Sequence, residues 1–556
     1  MKKESNQNLD RGQDRLFNFR PIFFSAVFLS LGIFFAYLQI IKGVSSRWLL
    51  GLLPCAVMPI FFCKTKERLQ KCLLEIAIVG LAFVCGFFSF SNQLANFSDC
   101  KNYTGEGIVI GRVVEKREYG SRTEVVLEDL FFNEMAEEGR ISTYLSTSYC
   151  EKIELSDKLL LRGEISLRTD YVDEFGFRAE DIKDGLCYFI NTENVRIVGH
   201  DFDLFLYLRS EMQTTIEVGM DETPGAVMNA VLFGDRTGIE TELYDNIRMG
   251  GVAHIFAVSG LHVGAFFGFC LFLFKKTALR RLPKVVAFCS VATVLLFYAA
   301  ICGFTPSVLR ATIMCLVGYA GSLLFVKTDR LETIALSAII ILFLSPCALF
   351  EVGFQLSFAA CLGIVLFSKP IGQVCDEVCV WVLDRLPHKA TEAEIKAREN
   401  GDTLPIGVLG TARRKTISFV SVTLAAQLAT SPLLLYYYGY LSGWTLLLNC
   451  LFVPIFTLAF SLFLLSAVLA FCLPFFAGGI LYVSNVVWSL LLLIFQTSDF
   501  TSFALSGLKI SALSMIPYYA ACLFISDKFN LKRPWKILLF FIAFCAFVVC
   551  MVALNA

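Results

Sequence analysis

The stretch PIFFSAVFLSLGIFFAYLQII, residues 21–41, decides the fold class of this chain. It contains no charged residue, and as a helix it is long enough to cross a hydrocarbon core of ~30 Å. A cleavable signal peptide is the alternative, but its apolar region is usually only ~7–15 residues long, and no clean small-x-small cleavage site follows. We therefore predict a membrane-spanning helix.

The composition extends this conclusion to the whole chain. Hydrophobic residues make up 56% of the 556 residues and charged residues only 17%, which excludes a string of soluble domains. We predict a polytopic α-helical membrane protein with about thirteen spans. Beyond residues 21–41, the predicted spans are 48–63, 72–90, 251–274, 285–302, 306–326, 331–344, 352–367, 417–438, 444–471, 475–495, 510–525 and 536–554.

The distribution of Lys and Arg predicts the orientation. These residues are concentrated before the first span and between the second and third spans, and such loops usually lie in the cytoplasm. The N-terminus is therefore predicted to be cytoplasmic, and the segment after residue 90 extracellular. Lys+Arg 48 equals Asp+Glu 48, so the net charge of +0 indicates neither nucleic acid nor an anionic lipid surface as a partner.

Residues 96–201 form the one long polar segment, and their pattern is strand-like. GEGIVIGRVVEKREYG, SRTEVVLEDLFF, RISTYLSTSYC, KLLLRGEISLR and GLCYFINTENVRIVG alternate apolar with polar residues between Gly, Asn and Asp turns. About five strands in ~100 residues predict a small all-β barrel, with an OB-like fold as the leading candidate. Acidic residues outnumber basic ones here, which weakens a phosphate-binding interpretation.

The chain thus divides into five predicted regions. Residues 1–95 hold the cytoplasmic N-terminus and three spans, and residues 96–201 the extracellular β domain. Residues 202–250 form an amphipathic helical segment at the membrane surface. Residues 251–505 form the main transmembrane domain, with a charged, solvated cytoplasmic loop at 368–415, and residues 506–556 hold the last helices.

The 20 Cys mostly lie inside apolar runs and form no CxxC pair, which is typical of buried hydrophobic residues. Cys100, Cys150 and Cys187 are the exceptions. Because the predicted orientation puts them outside, where thiols oxidise, we predict a Cys100–Cys150 disulfide and a buried Cys187 thiol. Pairing of Cys150 with Cys187 is the alternative.

The histidines argue against a metal site. There are 4 of them, at positions 200, 254, 262 and 388, and a three-histidine site would need nearly all of these scattered residues. On one continuous helix, His254 and His262 would lie roughly 80° apart and could face one cavity. Ser259 and Gly260 could break that helix, and hydrogen bonding of each His to a buried carbonyl is an equally good explanation.

A second polar cluster is GFTPSVLRATIM, residues 303–314. Pro306 suits a first helical turn, so Arg310 lies about one turn inside a helix, beside its positive end. This is a plausible anion-binding feature, and an arginine reaching for the membrane interface explains it equally well. Gln355, Gln427 and Asn449 lie in other apolar runs, where interhelical hydrogen bonding is the commoner role.

Several blocks, in order, resemble the ComEC-type competence protein family of DNA-uptake channels. They are AVLFGDRTGI, GVAHIFAVSGLHVG, GFTPSVLRATIM, EVGFQLSFAACLGI, AAQLATSPLLLYYYG and LLNCLFVPI, and TDYVDEFGFRAEDIKDGL resembles part of the family's outer OB-like module. The resemblance implies a channel that passes one DNA strand through the bacterial cytoplasmic membrane during natural transformation. The residues on motif positions are His254, Ser259, Gly260, His262, Arg310, Gln355 and Gln427.

Many members continue into a metallo-β-lactamase-like domain with a zinc motif, and no such sequence follows residue 509. The expectation is therefore a short form that lacks its own nuclease. Single-stranded DNA and the lipid bilayer are the implied partners. A separate nuclease chain, a cytoplasmic DNA-translocating ATPase, a DNA receptor and further copies in a homo-oligomer complete the implied set.

Two other functions use the same residues. A secondary transporter of a smaller anionic solute would also use Arg310, although inverted repeats are not visible in the sequence. A membrane-embedded hydrolase using Ser259 and a histidine is weaker, because no acidic residue inside the apolar core completes a triad. We expect no catalytic residue, no metal and no cofactor.

Overall fold

The computed structural model is mostly helical and carries one small β domain. The residues it describes are 20–44, 66–98, 104–119, 122–132, 135–137, 139–150, 152–168, 171–173, 176–234, 238–255, 260–276, 283–324, 329–383, 408–472, 474–498, 500, 504–506, 510–525 and 533–555.

The elements are numbered in chain order. The helices are α1 (Pro21–Ile40), α2 (Lys66–Ser98), α3 (Thr147–Cys150), α4 (Ala179–Asp184), α5 (Leu204–Gly219), α6 (Glu222–Phe233), α7 (Thr241–Met249), α8 (Gly260–Lys276), α9 (Lys284–Ile301), α10 (Pro306–Leu323), α11 (Arg330–Leu344), α12 (Val352–Leu383), α13 (Val408–Tyr438), α14 (Thr445–Cys472), α15 (Pro474–Thr497), α16 (Ala512–Ile525) and α17 (Arg533–Asn555). A 3-10 helix, Pro346–Phe350, joins α11 to α12. The strands are β1 (Gly105–Tyr119), β2 (Arg122–Phe132), β3 (Met135–Glu137), β4 (Arg140–Ser146), β5 (Asp157–Leu167), β6 (Val172–Asp173), β7 (Gly176–Phe177), β8 (Leu186–His200), β9 (Tyr440–Ser442) and β10 (Ala504–Ser506).

Within the described residues, 8 helices are long and apolar enough to cross a membrane. These are Pro21–Ile40, Leu73–Ser98, Lys284–Ile301, Pro306–Leu323, Val352–Trp381, Arg413–Tyr438, Thr445–Phe463 and Gly478–Thr497. Shorter apolar helices, Gly260–Phe274, Ala512–Phe524 and Leu538–Met551, match three further predicted spans. The predicted span 331–344 corresponds to the 15-residue α11, and the span 48–63 lies outside the described residues.

Two predicted boundaries are wrong. The span expected at 251–274 is not helical at its start, because Gly251 has a φ of +75° and residues 253–255 form turns; residues 256–259 lie outside the described residues, and α8 is described from Gly260. The solvated loop expected at 368–415 is helical at both ends: α12 continues to Leu383, through Pro370, and α13 begins at Val408. Apolar residues recur at helical spacing after Pro370, and such a pattern sustains a helix that proline alone would end.

Five long strands form the predicted barrel. β1 pairs with β2 and with β5, β8 lies between β5 and β4, and β4 pairs with β2, which closes the ring. All of these pairs are antiparallel except β4 with β8. Val109 and Val113 of β1 and Leu159, Leu161 and Ile165 of β5 are buried, since alternate side chains of each strand point into the barrel.

The predicted disulfide is wrong. Cys150 is a buried thiol at the end of α3, and Cys187 near the start of β8 is the disulfide-bonded cysteine. The alternative pairing of Cys150 with Cys187 is excluded for the same reason. The carbonyl oxygen of Phe97, near the end of α2, lies 3.8 Å from the Cys187 sulfur. The barrel strand β8 therefore lies directly against the end of a membrane helix, a contact that cysteine spacing in the sequence does not reveal.

An aromatic cluster fixes the barrel to the helices. It consists of Tyr37 from α1, Phe90 from α2, Phe177 from β7 and Phe350 from the 3-10 helix. The ring centroids of Tyr37 lie 4.7 Å from Phe350 and 5.0 Å from Phe177, and Phe177 lies 5.1 Å from Phe350. These distances are typical of favourable aromatic pairs. The barrel and the surrounding helices share one continuous hydrophobic core.

The N-terminal ends of α1 and α11, away from the aromatic cluster, are joined by an ion pair and a hydrogen bond. At the start of α1, the Arg20 guanidinium forms an ion pair with Asp329, and the backbone N–H of Phe23 donates to a carboxylate oxygen of Glu332 at 3.2 Å. Both acidic residues lie at the start of α11. The helices α1 and α11 therefore run in the same direction, with the barrel at their C-terminal ends.

Candidate functional site

Arg310 lies in the second turn of α10 and is almost fully buried, with 6% of its surface exposed. Pro306 occupies the first helical position, where its fixed φ favours the helix and its missing N–H is not needed. Side chains on a helix tilt toward its N-terminus, so the guanidinium is directed back toward the start of α10. As predicted for a charge in an apolar helix, Arg310 faces the protein interior.

Glu351 is the counter-ion of Arg310. It stands between the 3-10 helix and α12 and is 6% exposed. Its Oε2 lies 3.7 Å from an Arg310 terminal nitrogen, which satisfies an ion pair but exceeds hydrogen-bond length. The Nε of Arg310 is buried and has no hydrogen-bond acceptor among the described residues. The guanidinium is therefore neutralised only partly and keeps donor capacity.

The barrel contributes a second cation to the same carboxylate. Lys183 is on α4, the short helix before β8, and its Nζ lies 3.0 Å from the other oxygen of Glu351. Lys183 also lies 3.9 Å from Asp184, at the limit of an ion pair. Glu351 thus lies between a cation from the barrel and a cation from the membrane helices. We call Lys183, Glu351 and Arg310 the junction triad.

A glycine makes room for the arginine. A Cβ built on Gly353, in the first turn of α12, would lie 2.9 Å from a terminal nitrogen of Arg310. This is closer than side chains normally approach, so any larger residue at 353 would displace the guanidinium. The residue type at 353 therefore helps to set the position of the Arg310 charge.

His262 lies at a different helix contact, and Asn449 is buried in α14. His262, in the first turn of α8, is 0% exposed and packs between Phe456 and Phe460 of α14, at centroid distances of 4.8 and 5.1 Å. Asn449 is 9% exposed, and its Oδ1 is buried with no hydrogen-bond donor among the described residues. Both residues lie in the interior, but neither contacts the junction triad in the described structure.

His254 and His262 do not share one helix, which corrects the predicted geometry. His254 is an exposed residue in the turns before α8 and hydrogen-bonds the backbone of Gly251. Ser259 lies outside the described residues. Gly260 is the first residue of α8, and a Cβ there would lie 3.5 Å from the methyl group of Ala311, next to Arg310. Gly260 therefore lies beside the turn of α10 that carries the arginine.

The Gln355 side chain is hydrogen-bonded between helices, and Gln427 takes part in a hydrogen bond through its backbone carbonyl. The Gln355 side chain donates to the Leu349 carbonyl at 3.0 Å and accepts from the Tyr437 hydroxyl at 2.9 Å, which ties α12 to α13. The backbone carbonyl of Gln427 accepts from Ser431 at 2.5 Å. Gln355 lies one turn into α12 from Glu351, whereas Gln427 lies along α13.

Sequence reasoning missed Glu351 and Lys183. The block EVGFQLSFAACLGI contains Glu351 at its start, and a carboxylate next to an apolar run was the available signal. Lys183 gave none, because nothing local distinguishes it from the other barrel lysines. Within the described residues, no cluster of three or more His, Cys, Asp or Glu is arranged to hold a metal ion.

Comparisons with known proteins find similarity in the part of the chain that contains Arg310 and Glu351. A family model described as "Competence protein" matches residues 231–526, more than half of the chain. The "ComE operon protein 3" of Bacillus subtilis (strain 168) is 31% identical over 234 residues, which are 42% of this chain and 24% of that protein.

Uncharacterized proteins of two mycoplasmas are also similar. The one from Mycoplasma genitalium is 28% identical over 33% of this chain and 45% of its own length, and the one from Mycoplasma pneumoniae is 28% identical over 27% and 38%. The chain therefore spans less than half the length of each of these relatives. No solved structure matches. With a match that runs from α6 to the end of α16 and includes Arg310 and Glu351, the chain belongs to the competence protein family.

Proposed function

We propose that this protein is a membrane channel that passes single-stranded DNA across the cytoplasmic membrane of a bacterial cell during natural transformation. Membership of the competence family supports a role in DNA uptake, as does the similarity to the protein named ComE operon protein 3. We propose a channel and not an enzyme. The lipid bilayer and the DNA strand are its proposed partners, with a nuclease, a translocating ATPase and a receptor as separate chains.

The observation that carries the proposal is the buried, partly neutralised Arg310. A phosphodiester strand needs contacts that replace the water around each phosphate without holding the strand in place. One arginine with spare donors meets that need, whereas a dense basic lining would favour static binding. Arg310 lies inside the family match and beside the barrel, where a strand would enter.

The finer architecture is part of the proposal. We propose thirteen membrane crossings, with α11 and the three shorter apolar helices among them. The Greek-key closure of five strands supports an OB-like identity for the barrel. The excess of Lys and Arg before α1 and before α2 supports a cytoplasmic N-terminus. The disulfide at Cys187 supports an extracellular barrel, because disulfides persist in oxidising compartments.

Uptake of fluorescent DNA by intact cells tests the proposal. A deletion strain should take up no labelled DNA into the cytoplasm, and a plasmid copy of the gene should restore uptake. Arg310→Ala should abolish entry or reduce it greatly, whereas Arg310→Lys should retain part of it by keeping the charge without the guanidinium fork.

Arg112→Ala is the matched control, because Arg112 is a barrel surface arginine paired with Glu128 and Asp129. It should import DNA at the parental rate at equal membrane levels. If the deletion strain imports DNA normally but loses uptake of a small anion, the secondary transporter is the correct function.

A further inference from the structure

The junction triad places three charges in one buried contact between two parts of the fold. Lys183 belongs to the barrel, Arg310 to α10 and Glu351 to the start of α12. The carboxylate of Glu351 is shared between the two cations, so Arg310 is only partly neutralised by it. Asp184 is the further charge at Lys183, at 3.9 Å and partly exposed to solvent.

The arginine end of the triad is incomplete. A guanidinium has five N–H donors, yet the Arg310 Nε is buried with no acceptor among the described residues. The ion pair to Glu351 is 3.7 Å long. An anionic oxygen that reached this contact would supply the missing acceptor and would displace Glu351 as the partner of Arg310.

We propose that Lys183 and Arg310 form a binding site for one phosphodiester group of a DNA strand, and that Glu351 acts as an internal competitor that limits its affinity. The inference rests on the proposed function, because it assumes that a strand passes the junction. When a phosphate arrives, the two cations turn to it. When it moves on, Glu351 recovers them, because a buried carboxylate without a cationic partner is costly.

The competitor explains why a carboxylate lies on the path of a polyanion. Without Glu351, the buried Arg310 and the partly exposed Lys183 would hold a phosphate tightly, because charge attraction is strong where little water is present. Transit needs binding that is weak enough for release. Glu351 provides this by offering each cation an alternative partner within the protein.

Binding and uptake are predicted to change in opposite directions in one variant. The full-length protein in detergent is titrated with a fluorescent 20-nucleotide oligothymidylate, and anisotropy is followed at several salt concentrations. Glu351→Gln should tighten binding by about tenfold or more, because it removes a competing negative charge only a few ångströms from both cations. The same variant should reduce DNA uptake by cells about tenfold.

Lys183→Met gives a second measurement, since it removes a charge but keeps the aliphatic stem. It should weaken oligothymidylate binding about tenfold and make the slope of log affinity against log salt less steep by about 0.7, the loss of one phosphate contact. Lys158→Met is the matched control, because Lys158 is a barrel lysine in a single ion pair with Asp201 at 2.8 Å. Its affinity should equal that of the parent.

Three results would overturn the inference. If Glu351→Gln lowers the melting temperature and weakens oligothymidylate binding, the triad only stabilises the contact between the barrel and the membrane helices. If inorganic phosphate displaces oligothymidylate when it is present at the same concentration as the phosphate groups of the oligonucleotide, the site binds a free anion and not a strand. If the Lys183→Met and Glu351→Gln variants bind oligothymidylate with the affinity of the parent while Arg310→Ala blocks uptake, the triad is not the phosphate site. The proposed channel function would not be contradicted by that result. Normal uptake by the deletion strain would instead remove the proposed function itself.

Discussion

Two glycines let the first membrane helices touch at the level of the backbone. A Cβ built on Gly32 of α1 would lie 2.1 Å from the Phe83 carbonyl oxygen, and one built on Gly86 of α2 would lie 2.2 Å from the Leu29 carbonyl oxygen. Small residues at such contacts allow helices to approach closely. Close packing matters in a membrane, because the hydrophobic effect does not drive helices together in lipid. We predict that Gly32→Ala destabilises the protein.

The expected cost follows from the geometry. A methyl group at 32 would be about 1 Å too close to a backbone atom that no rotamer change can move, so α1 and α2 must separate along their contact. Overpacking of this kind costs about 1–3 kcal/mol, and the rigid neighbour favours the upper value. The gain in helix propensity on replacing glycine by alanine offsets about 1 kcal/mol. The net loss should be about 2 kcal/mol.

Gly80 is the matched control, because it is also in α2 and a Cβ there would meet nothing within 4 Å. Gly80→Ala should be neutral or stabilising by up to about 1 kcal/mol. Unfolding of the purified variants by SDS in mixed micelles, followed by tryptophan fluorescence, gives both free energies. If Gly32→Ala and Gly80→Ala unfold at the same SDS fraction, the close-packing argument is wrong.

Two further predictions concern bonds that the structure shows. Peptide mapping without reduction should find Cys187 in a disulfide, whereas Cys150 should be alkylated as a thiol after denaturation; Cys100 lies outside the described residues. A mapped Cys150 disulfide would contradict the structure. Tyr437→Phe removes the donor to Gln355 and should lower the free energy of unfolding by about 1 kcal/mol, and an unchanged value would show that this bond does not hold α12 to α13.

Features governed by local sequence could be predicted. The apolar run at 21–41 became α1, and the five alternating segments between 105 and 200 became the barrel strands, because burial imposes its period directly on the residues involved. Burial of Arg310 followed from the cost of a charge in lipid. Each of these predictions needs only the residue and its neighbours along the chain.

Features governed by contacts between distant segments could not be predicted. The start of α8 depends on Gly251, whose positive φ ends the preceding helical region, and eight-residue spacing suggested one continuous helix instead. The contact between Cys187 and Phe97 depends on which strand lies beside α2, and the sequence contains no signal for that. The triad combines residues 183, 310 and 351, whose proximity requires the barrel, α10 and α12 to be assembled first.

The same short element anchors the barrel and presents the carboxylate. Phe350 is the last residue of the 3-10 helix and packs against Tyr37 and Phe177, and Glu351 follows it directly. A displacement of the barrel would pull on Phe350 through these rings and on Glu351 through Lys183. Either force acts on the distance between Glu351 and Arg310. The position of the barrel and the separation of Glu351 from Arg310 are therefore mechanically linked, because one stretch of backbone carries both contacts.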